Sequence, residues 1–207
     1  MLNIVRASLA AGLLATPLLG TCAAATPDTQ TIVLVRHGEK QADGLGQLNC
    51  QGLNRALALP KVIQNLFGKP DAIFAPDPAK AKPDHFTSYD YVRPLATVEP
   101  TAIRFGLPVN TQFGYAETKD LVAELEKSRY RNALVLVAWE HLELVKAAYA
   151  LLADNGGDAS KVPAWHYDDY DGIYIVRITR GPDGAHASFE RQQEHLDGQP
   201  SECPGPQ

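Results

Sequence analysis

The chain has 207 residues, of which 45% are hydrophobic and 21% are charged, and its formal net charge is −5. This length and composition fit one globular domain and exclude a chain that is disordered throughout. No block of lysine and arginine is present, so the charge pattern argues against nucleic acid or another polyanion as a partner, and any bound anion must be held by a local site.

The N-terminus has the three parts of a secretory signal peptide. One cation, Arg6, precedes the apolar stretch ASLAAGLLATPLLG and the small residues TCAAA, which offer an Ala-x-Ala cleavage site. The apolar run is short for a membrane span and contains Pro17. We predict a signal peptide over residues 1–25, a mature domain over 26–207, and a periplasmic or secreted protein. An uncleaved N-terminus and lipidation at Cys22, which would attach the protein to a membrane, are the alternatives.

Two cysteines remain in the predicted mature domain. Cys50 and Cys203 form an even pair in a compartment that favours disulfides. A bridge between them would pin the proline-rich tail QPSECPGPQ to the body of the domain. Two unpaired thiols are the alternative.

The mature domain alternates between strand-like and helix-like segments. The predicted strands are TIVLVRH, DAIFAP, NALVLVAWE and GIYIVRITR, with HASFERQQEHL as an edge strand or hairpin partner. The predicted helices are CQGLNRALALPKVIQNLFG, reset at Pro60, RPLATVEPTAIRFG, punctuated by Pro100, TKDLVAELEKSRY and HLELVKAAYALLADNG. This alternation predicts an α/β fold, a three-layer α/β/α sandwich with a mostly parallel central sheet. Two long irregular segments, 75–91 and 156–171, are of the kind that often carries function.

Two histidines come directly after predicted strands. Arg36 and His37 end the first strand, and His141 follows NALVLVAWE. Because ligands of open α/β sheets bind beyond the carboxyl ends of the strands, we expect these side chains to lie at one edge of the sheet.

A second arginine is predicted to reach the same place. Arg93 precedes Pro94, which suits the first turn of a helix, and a helix N-terminus favours an anion. An ion pair of Arg93 with Glu99 is the plainer alternative. Two arginines and two histidines without evident carboxylate partners would be unfavourable unless an anion lies between them, and a phosphoryl group fits best.

Four segments carry a resemblance to the histidine phosphatase superfamily, which includes acid phosphatases and cofactor-dependent phosphoglycerate mutases. LVRHGEK resembles its Arg-His-Gly signature. LNCQGLNRALAL, FTSYDYVRPLATVEPTA and LVLVAWEHLEL are similar to the segments that follow it, in the expected order, over roughly residues 31 to 150. The resemblance implies a phosphoglycerate mutase-like fold.

The resemblance also implies roles for these residues. His37 would be the nucleophile that takes up the phosphoryl group, and Arg36, Arg93 and His141 would bind its oxygens. Gly38 would let the backbone approach the bound group. The family uses no metal ion and no organic cofactor for this step, so neither is predicted here.

The general acid is less well marked. In acid-phosphatase-like members it follows the second histidine, where this chain has Leu142. In mutase-like members it is a glutamate after the second arginine, which favours Glu117. Glu140 is the alternative, although strand alternation would point it away from His141.

Other residues near the motifs are given lesser roles. Glu39 is expected at the rim. Trp165, Tyr167 and Tyr170 are expected either to form an aromatic wall for substrate or to anchor their loop.

The predicted function is that of an exported phosphomonoesterase, with a phosphohistidine intermediate on His37. The substrate would be a small-molecule phosphate ester or a phosphorylated envelope component. The alternative is a protein that binds a phosphorylated or other anionic ligand on the same fold without turnover.

Overall fold

The computed structural model describes residues 28–84 and 86–205. The predicted signal peptide, with Cys22, lies outside the described residues. Within them, no helix combines the length and the apolar character needed to cross a membrane.

The central sheet has six strands in the order β10-β9-β1-β8-β4-β7. The ten strands of the described residues are β1 (Asp28–Arg36), β2 (Lys40–Gln41), β3 (Gly44–Leu48), β4 (Ala72–Phe74), β5 (Lys82–Asp84), β6 (Thr87–Tyr89), β7 (Val109–Asn110), β8 (Leu134–Trp139), β9 (Gly172–Gly181) and β10 (Gly184–Gln193). Strands β1, β8, β4 and β7 are parallel to one another, whereas β9 is antiparallel to both β1 and β10. The mostly parallel sheet and the late hairpin are therefore confirmed.

Helices cover both faces of this sheet. They are α1 (Cys50–Leu66), α2 (Arg93–Phe105), α3 (Thr118–Leu125) and α4 (His141–Asp154). Along β1, Ile32 and Leu34 pack with α3 and α4, while Val33 and Val35 pack with α1 and α2. Successive residues of a strand point to opposite faces, so a continuous apolar run fills two cores. The predicted three-layer sandwich is confirmed.

Two prolines lie inside helices that continue through them. Pro60 is within α1 and Pro100 within α2, and both helices continue past them. The sequence predicted a reset at Pro60 and an interruption at Pro100, but neither proline ends its helix. A proline removes one helical hydrogen bond. At Pro60, the neighbours Leu59 and Ile63 are fully buried, and their packing offsets that loss.

The segment 75–91 is more regular than its sequence indicates, because it contains the hairpin β5–β6. The C-terminal tail is attached to α1 by the disulfide Cys50–Cys203, as predicted. The side chain of Asn54 adds hydrogen bonds to the carbonyl oxygens of Pro200 and Glu202.

Candidate active site

The ends of β1 and β8 bring the two predicted histidines to one edge of the sheet. The two strands pair in parallel with Arg36 opposite Trp139, and the amide of His37 donates to the carbonyl of Trp139 at 3.2 Å. His141 begins α4 two residues later. His37 and His141 therefore lie at the carboxyl edge, where sheets of this type bind ligands.

The imidazole of His37 is buried and held in one orientation. It is 3% exposed, and its Nδ1 lies 2.8 Å from the carbonyl oxygen of Gly38. A carbonyl only accepts, so Nδ1 carries the hydrogen and Nε2 carries the lone pair. Burial, with the positive charges of Arg93 and Arg36, lowers the pKa of His37 well below its ordinary value. The ring is thus neutral, with its lone pair on Nε2.

Arg36 is held by the loop that follows α4. Its Nη1 donates to the carbonyl oxygens of Tyr167 and Asp169, at 2.5 and 2.9 Å, and burial lowers the pKa of its guanidinium. The carbon at its centre lies 3.9 Å from the centroid of the Tyr170 ring. Segment 156–171 therefore fixes the arginine by backbone carbonyls and an aromatic face.

The aromatic residues of this loop divide between the two expected roles. Tyr170 also lies 6.2 Å from the His37 ring, and Tyr167, which is 65% exposed, lies 6.1 Å from the ring of His141. Trp165 is instead buried in the core, where its Nε1 donates to the carbonyl of Asp169. Tyr167 and Tyr170 thus border the site, and Trp165 anchors the loop.

Arg93 opens α2 as predicted, but it has a carboxylate partner. It is 2% exposed and its Nη1 donates to Asp84 Oδ2, with the carbonyl of Gly44 at 3.4 Å. The expectation of cations without carboxylate partners was wrong for Arg93, because hairpin β5–β6 carries Asp84 to it. Burial would raise the pKa of Asp84, but Arg93 and Lys40 lower it.

His141 and Glu140 are in contact, which strand alternation did not predict. Glu140 is the N-cap of α4, and its Oε2 accepts from the amides of Leu142 and Glu143. Its Oε1 lies 2.6 Å from His141 Nδ1, an electrostatic contact without hydrogen-bond alignment. Burial would raise the pKa of Glu140, but its contact with His141 and the amide of Glu143 lower it. Alternation fails because Glu140 belongs to the helix start.

Glu117 lies in a different environment. Its carboxylate accepts from Lys80 Nζ at 2.6 Å and from the amide of Gly114 at 2.9 Å. These contacts lower its pKa, and 38% of its side chain is exposed. It borders a surface groove between α3 and α4. The structure thus places Glu140 beside His141, and Glu117 in a surface ion pair.

Gly38 is required by the packing of the chain on itself. A Cβ added there would lie 2.9 Å from the carbonyl oxygen of Gly52 in α1. The amide of Gly38 donates to Thr97 Oγ1, and its carbonyl accepts from His37. Both of its backbone groups therefore position the nucleophile candidate and have protein partners.

The site holds several buried polar atoms without a partner. Among the described residues, three such atoms at this edge of the sheet are Arg36 Nε, Tyr91 OH and Arg93 Nε, whereas His141 Nδ1, which also lacks an aligned hydrogen bond, lies 2.6 Å from Glu140 Oε1. Unpaired buried donors are costly, and donors in a positive environment are satisfied by an anion. The arrangement can bind a phosphoryl group beside a neutral imidazole.

No group of three or more His, Cys, Asp or Glu in the described part of the chain is placed to hold a metal ion.

Sequence reasoning missed a buried charge cluster behind the site. Arg55 of α1 is completely buried and contacts four acidic side chains, Glu39, Asp171, Glu194 and Asp197. Glu39, expected at the rim, binds Arg55 through both carboxylate oxygens. The signal was present, because Arg55 follows Gly52 and precedes Leu59 on the buried face of α1, where an arginine requires carboxylates.

Solved structures of other proteins share the fold of this chain. No protein-family profile matches the chain, and no curated protein matches it significantly in sequence. A protein provisionally assigned as the phosphohistidine phosphatase SixA, from Nakamurella multipartitia, aligns with a TM-score of 0.54 at 15% identity, over 80% of this chain and 96% of that one. A mycobacterial glucosyl-3-phosphoglycerate phosphatase aligns with a TM-score of 0.52 at 15% identity, over 78% of this chain and 97% of that one.

A second structure of the mycobacterial enzyme contains inorganic phosphate. It aligns with a TM-score of 0.52 at 16% identity, over 78% of this chain and 95% of that one. These neighbours belong to the histidine phosphatase superfamily. The fold that the four sequence segments predicted is therefore confirmed.

Proposed function

We propose that this chain, which has the fold of the histidine phosphatases, is a phosphatase that hydrolyses phosphate esters through a phosphohistidine on His37. One observation carries the proposal: among the described residues, Arg36 Nε and Arg93 Nε are buried donors without a partner, and both guanidinium charges act on an imidazole whose lone pair is on Nε2. Such a constellation stabilises the charge of a transferring phosphoryl group without reorganisation.

In the first step, Nε2 of His37 attacks phosphorus, and the bond from phosphorus to the ester oxygen breaks. The bond from Nδ1 to the Gly38 carbonyl keeps the attacking lone pair on Nε2. Arg36, Arg93 and His141 hold the non-bridging oxygens. In the second step water attacks the phosphohistidine and gives a proton to the carboxylate that protonated the leaving oxygen in the first step. The bond from phosphorus to Nε2 breaks, inorganic phosphate leaves, and Nε2 regains its lone pair.

The leaving oxygen needs a proton, and we assign its transfer to Glu140 ahead of Glu117. Glu140 is 8% exposed and its charge acts on Arg36, whereas Glu117 pairs with Lys80 at the surface. A phosphate dianion bound nearby would raise the pKa of the Glu140 carboxyl, because like charges disfavour ionisation.

The activity is tested with the mature protein on aryl phosphates, sugar phosphates, nucleotides, phospho-amino acids and lipid-linked phosphates. Glu140→Gln should slow hydrolysis of alkyl phosphates by about 10²-fold or more, and spare aryl phosphates with good leaving groups. Glu99→Gln, on the exposed side of α2, is the matched control. If only Glu117→Gln shows this pattern, Glu117 is the acid. Phosphate binding without any turnover would instead identify the protein as an anion binder.

We also propose that the protein is exported and acts on a small phosphate ester or a phosphorylated envelope component. The disulfide Cys50–Cys203 supports an oxidising compartment. N-terminal sequencing of the natural protein from the periplasmic or secreted fraction should find a start near Thr26. A cytoplasmic chain beginning at Met1 would contradict export, and a lipid on Cys22 would place the protein at a membrane.

A further inference from the structure

Tyr91 lies inside the site, although no sequence motif assigns it a role. Its side chain is completely buried, and its ring meets the His37 ring edge-on, with centroids 5.9 Å apart and planes at 90°. The guanidinium carbon of Arg93 lies 5.0 Å from the centroid of the same ring. Tyr91 therefore packs against both the nucleophile candidate and one of the phosphate-binding arginines.

In the part of the chain that the structure describes, the hydroxyl of Tyr91 has no aligned hydrogen bond and no acceptor for its hydrogen, although it lies close enough to the Arg93 guanidinium to interact with it as an acceptor. Burying a hydroxyl without a partner is unfavourable. Most buried tyrosine hydroxyls find one, as Tyr174 does here with the carbonyl of Pro163, and the partly buried Tyr130 bonds to Glu124. A ligand with an acceptor atom would therefore satisfy the buried hydroxyl of Tyr91.

The groups around this hydroxyl indicate the kind of ligand. The charges that act on Tyr91 are those of Arg93, Glu140 and Arg36. Burial raises the pKa of Tyr91, and Glu140 adds to this, while the charges of the two arginines and the contact of the hydroxyl with the Arg93 guanidinium act in the opposite direction without cancelling it. The hydroxyl thus stays protonated across the physiological range, as a donor between two cations, and an acceptor with negative charge fits it.

We propose that the Tyr91 hydroxyl donates a hydrogen bond to a non-bridging oxygen of the phosphoryl group bound at His37. It is an uncharged donor beside two arginines, so its hydrogen bond helps to orient the phosphoryl group without adding positive charge. The inference rests on the proposed function only in taking a phosphoryl group as the ligand.

The test is Tyr91→Phe, which removes the hydroxyl and keeps the ring. Affinity for inorganic phosphate and for vanadate, measured by calorimetry, should fall by about 10-fold or more. The ligand-free variant should unfold at the same temperature as the natural protein or at a higher one, because an unpaired buried hydroxyl is gone. Tyr91→Leu should show the same loss of phosphate affinity.

Tyr130→Phe is the matched control. It removes a hydroxyl that bonds to Glu124 away from the site, so it should lower the unfolding temperature and leave phosphate affinity unchanged. Unchanged phosphate affinity in Tyr91→Phe, or a loss of stability like that of Tyr130→Phe, would overturn the inference. A natural protein that binds phosphate but hydrolyses no ester would overturn the proposed function and leave the role of Tyr91 standing.

Discussion

His37 donates its Nδ1 hydrogen to the carbonyl oxygen of Gly38, 2.8 Å away, and this bond leaves Nε2 as the basic atom of the ring. Gly38 is fixed in turn, because its amide donates to Thr97 Oγ1 of α2 at 3.0 Å. The orientation of the imidazole is thus set by the backbone and by a neighbouring helix, before any ligand binds.

The protonation of His37 gives the first prediction. Burial, with the charges of Arg93, Arg36 and His141, lowers the pKa of His37 well below 6.5. The neutral ring is the form present above that lowered pKa, so it should persist as the pH falls through 6.5. An NMR titration of the phosphate-free protein, with the His37 signal assigned by its loss in His37→Asn, measures this directly.

The same titration has a charge control. Arg93→Gln removes a positive charge that disfavours the imidazolium, so the pKa of His37 should rise. A His37 signal that titrates at or above 6.5 in the natural protein would contradict the predicted environment.

The second prediction concerns the anchor of Arg93. Asp84 binds Arg93 Nη1, while Arg93 Nε has no partner among the residues that the structure describes. The carboxylate therefore fixes the guanidinium and leaves another edge for the ligand. Asp84→Asn should weaken phosphate binding about 10-fold and lower the free energy of unfolding by about 1–3 kcal/mol. Asp90→Asn, an exposed change on the same segment, should do neither. If Asp84→Asn binds phosphate normally, Asp84 does not position Arg93.

The third prediction concerns Glu194 in the buried cluster. Burial raises its pKa to about 8, Asp171 and Glu39 act in the same direction, and Arg55 opposes them. The folded state then holds a proton that the unfolded chain releases near pH 4.3. The contribution of this proton to the free energy of unfolding is therefore fully present below that pH and is lost as the pH rises through about 8.

Urea denaturation at about pH 5 and about pH 8.5 tests this linkage. The natural protein should be less stable at the higher pH. Glu194→Gln should reduce the difference, because it cannot lose a proton, and Glu202→Gln on the exposed tail should not. An equal pH dependence in Glu194→Gln would show that another group titrates.

The fourth prediction concerns the disulfide. Cys50 and Cys203 are separated by 153 residues, and closing so long a loop in the unfolded chain is worth about 5 kcal/mol in a chain-entropy estimate, with 2–4 kcal/mol typical. Reduction should lower the free energy of unfolding by an amount in this range. The double variant Cys50→Ser/Cys203→Ser should be insensitive to reductant. A natural protein whose stability is unchanged by reduction would show that the bridge contributes nothing.

Much of the fold follows from local pattern. The apolar runs of β1 and β8 predict buried strands, because each fills a core on both faces. The edge where His37 and His141 meet follows from parallel pairing alone. Arg93 was placed by its proline, which is pre-organised for the first turn of a helix.

The missed features depend on tertiary contacts. Asp84 reaches Arg93 through a hairpin in a proline-rich segment that has no hydrophobic period. The contact of Glu140 with His141 arises because β8 ends at Trp139, one residue earlier than predicted, so that Glu140 is the N-cap of α4. Arg55 contacts acidic side chains that are up to 142 positions away in sequence, and a local sequence pattern cannot predict such partners.

The central claim is that His37 carries the phosphoryl group, and trapping that intermediate tests it most directly. The protein is mixed with an aryl phosphate, quenched within the first turnover under alkaline conditions, and its peptides are examined by mass spectrometry. We predict an acid-labile phosphate on the peptide that contains His37, absent from His37→Ala, which should also lose turnover. Turnover that continues in His37→Ala, or that proceeds with the phosphate on another residue, would contradict the account.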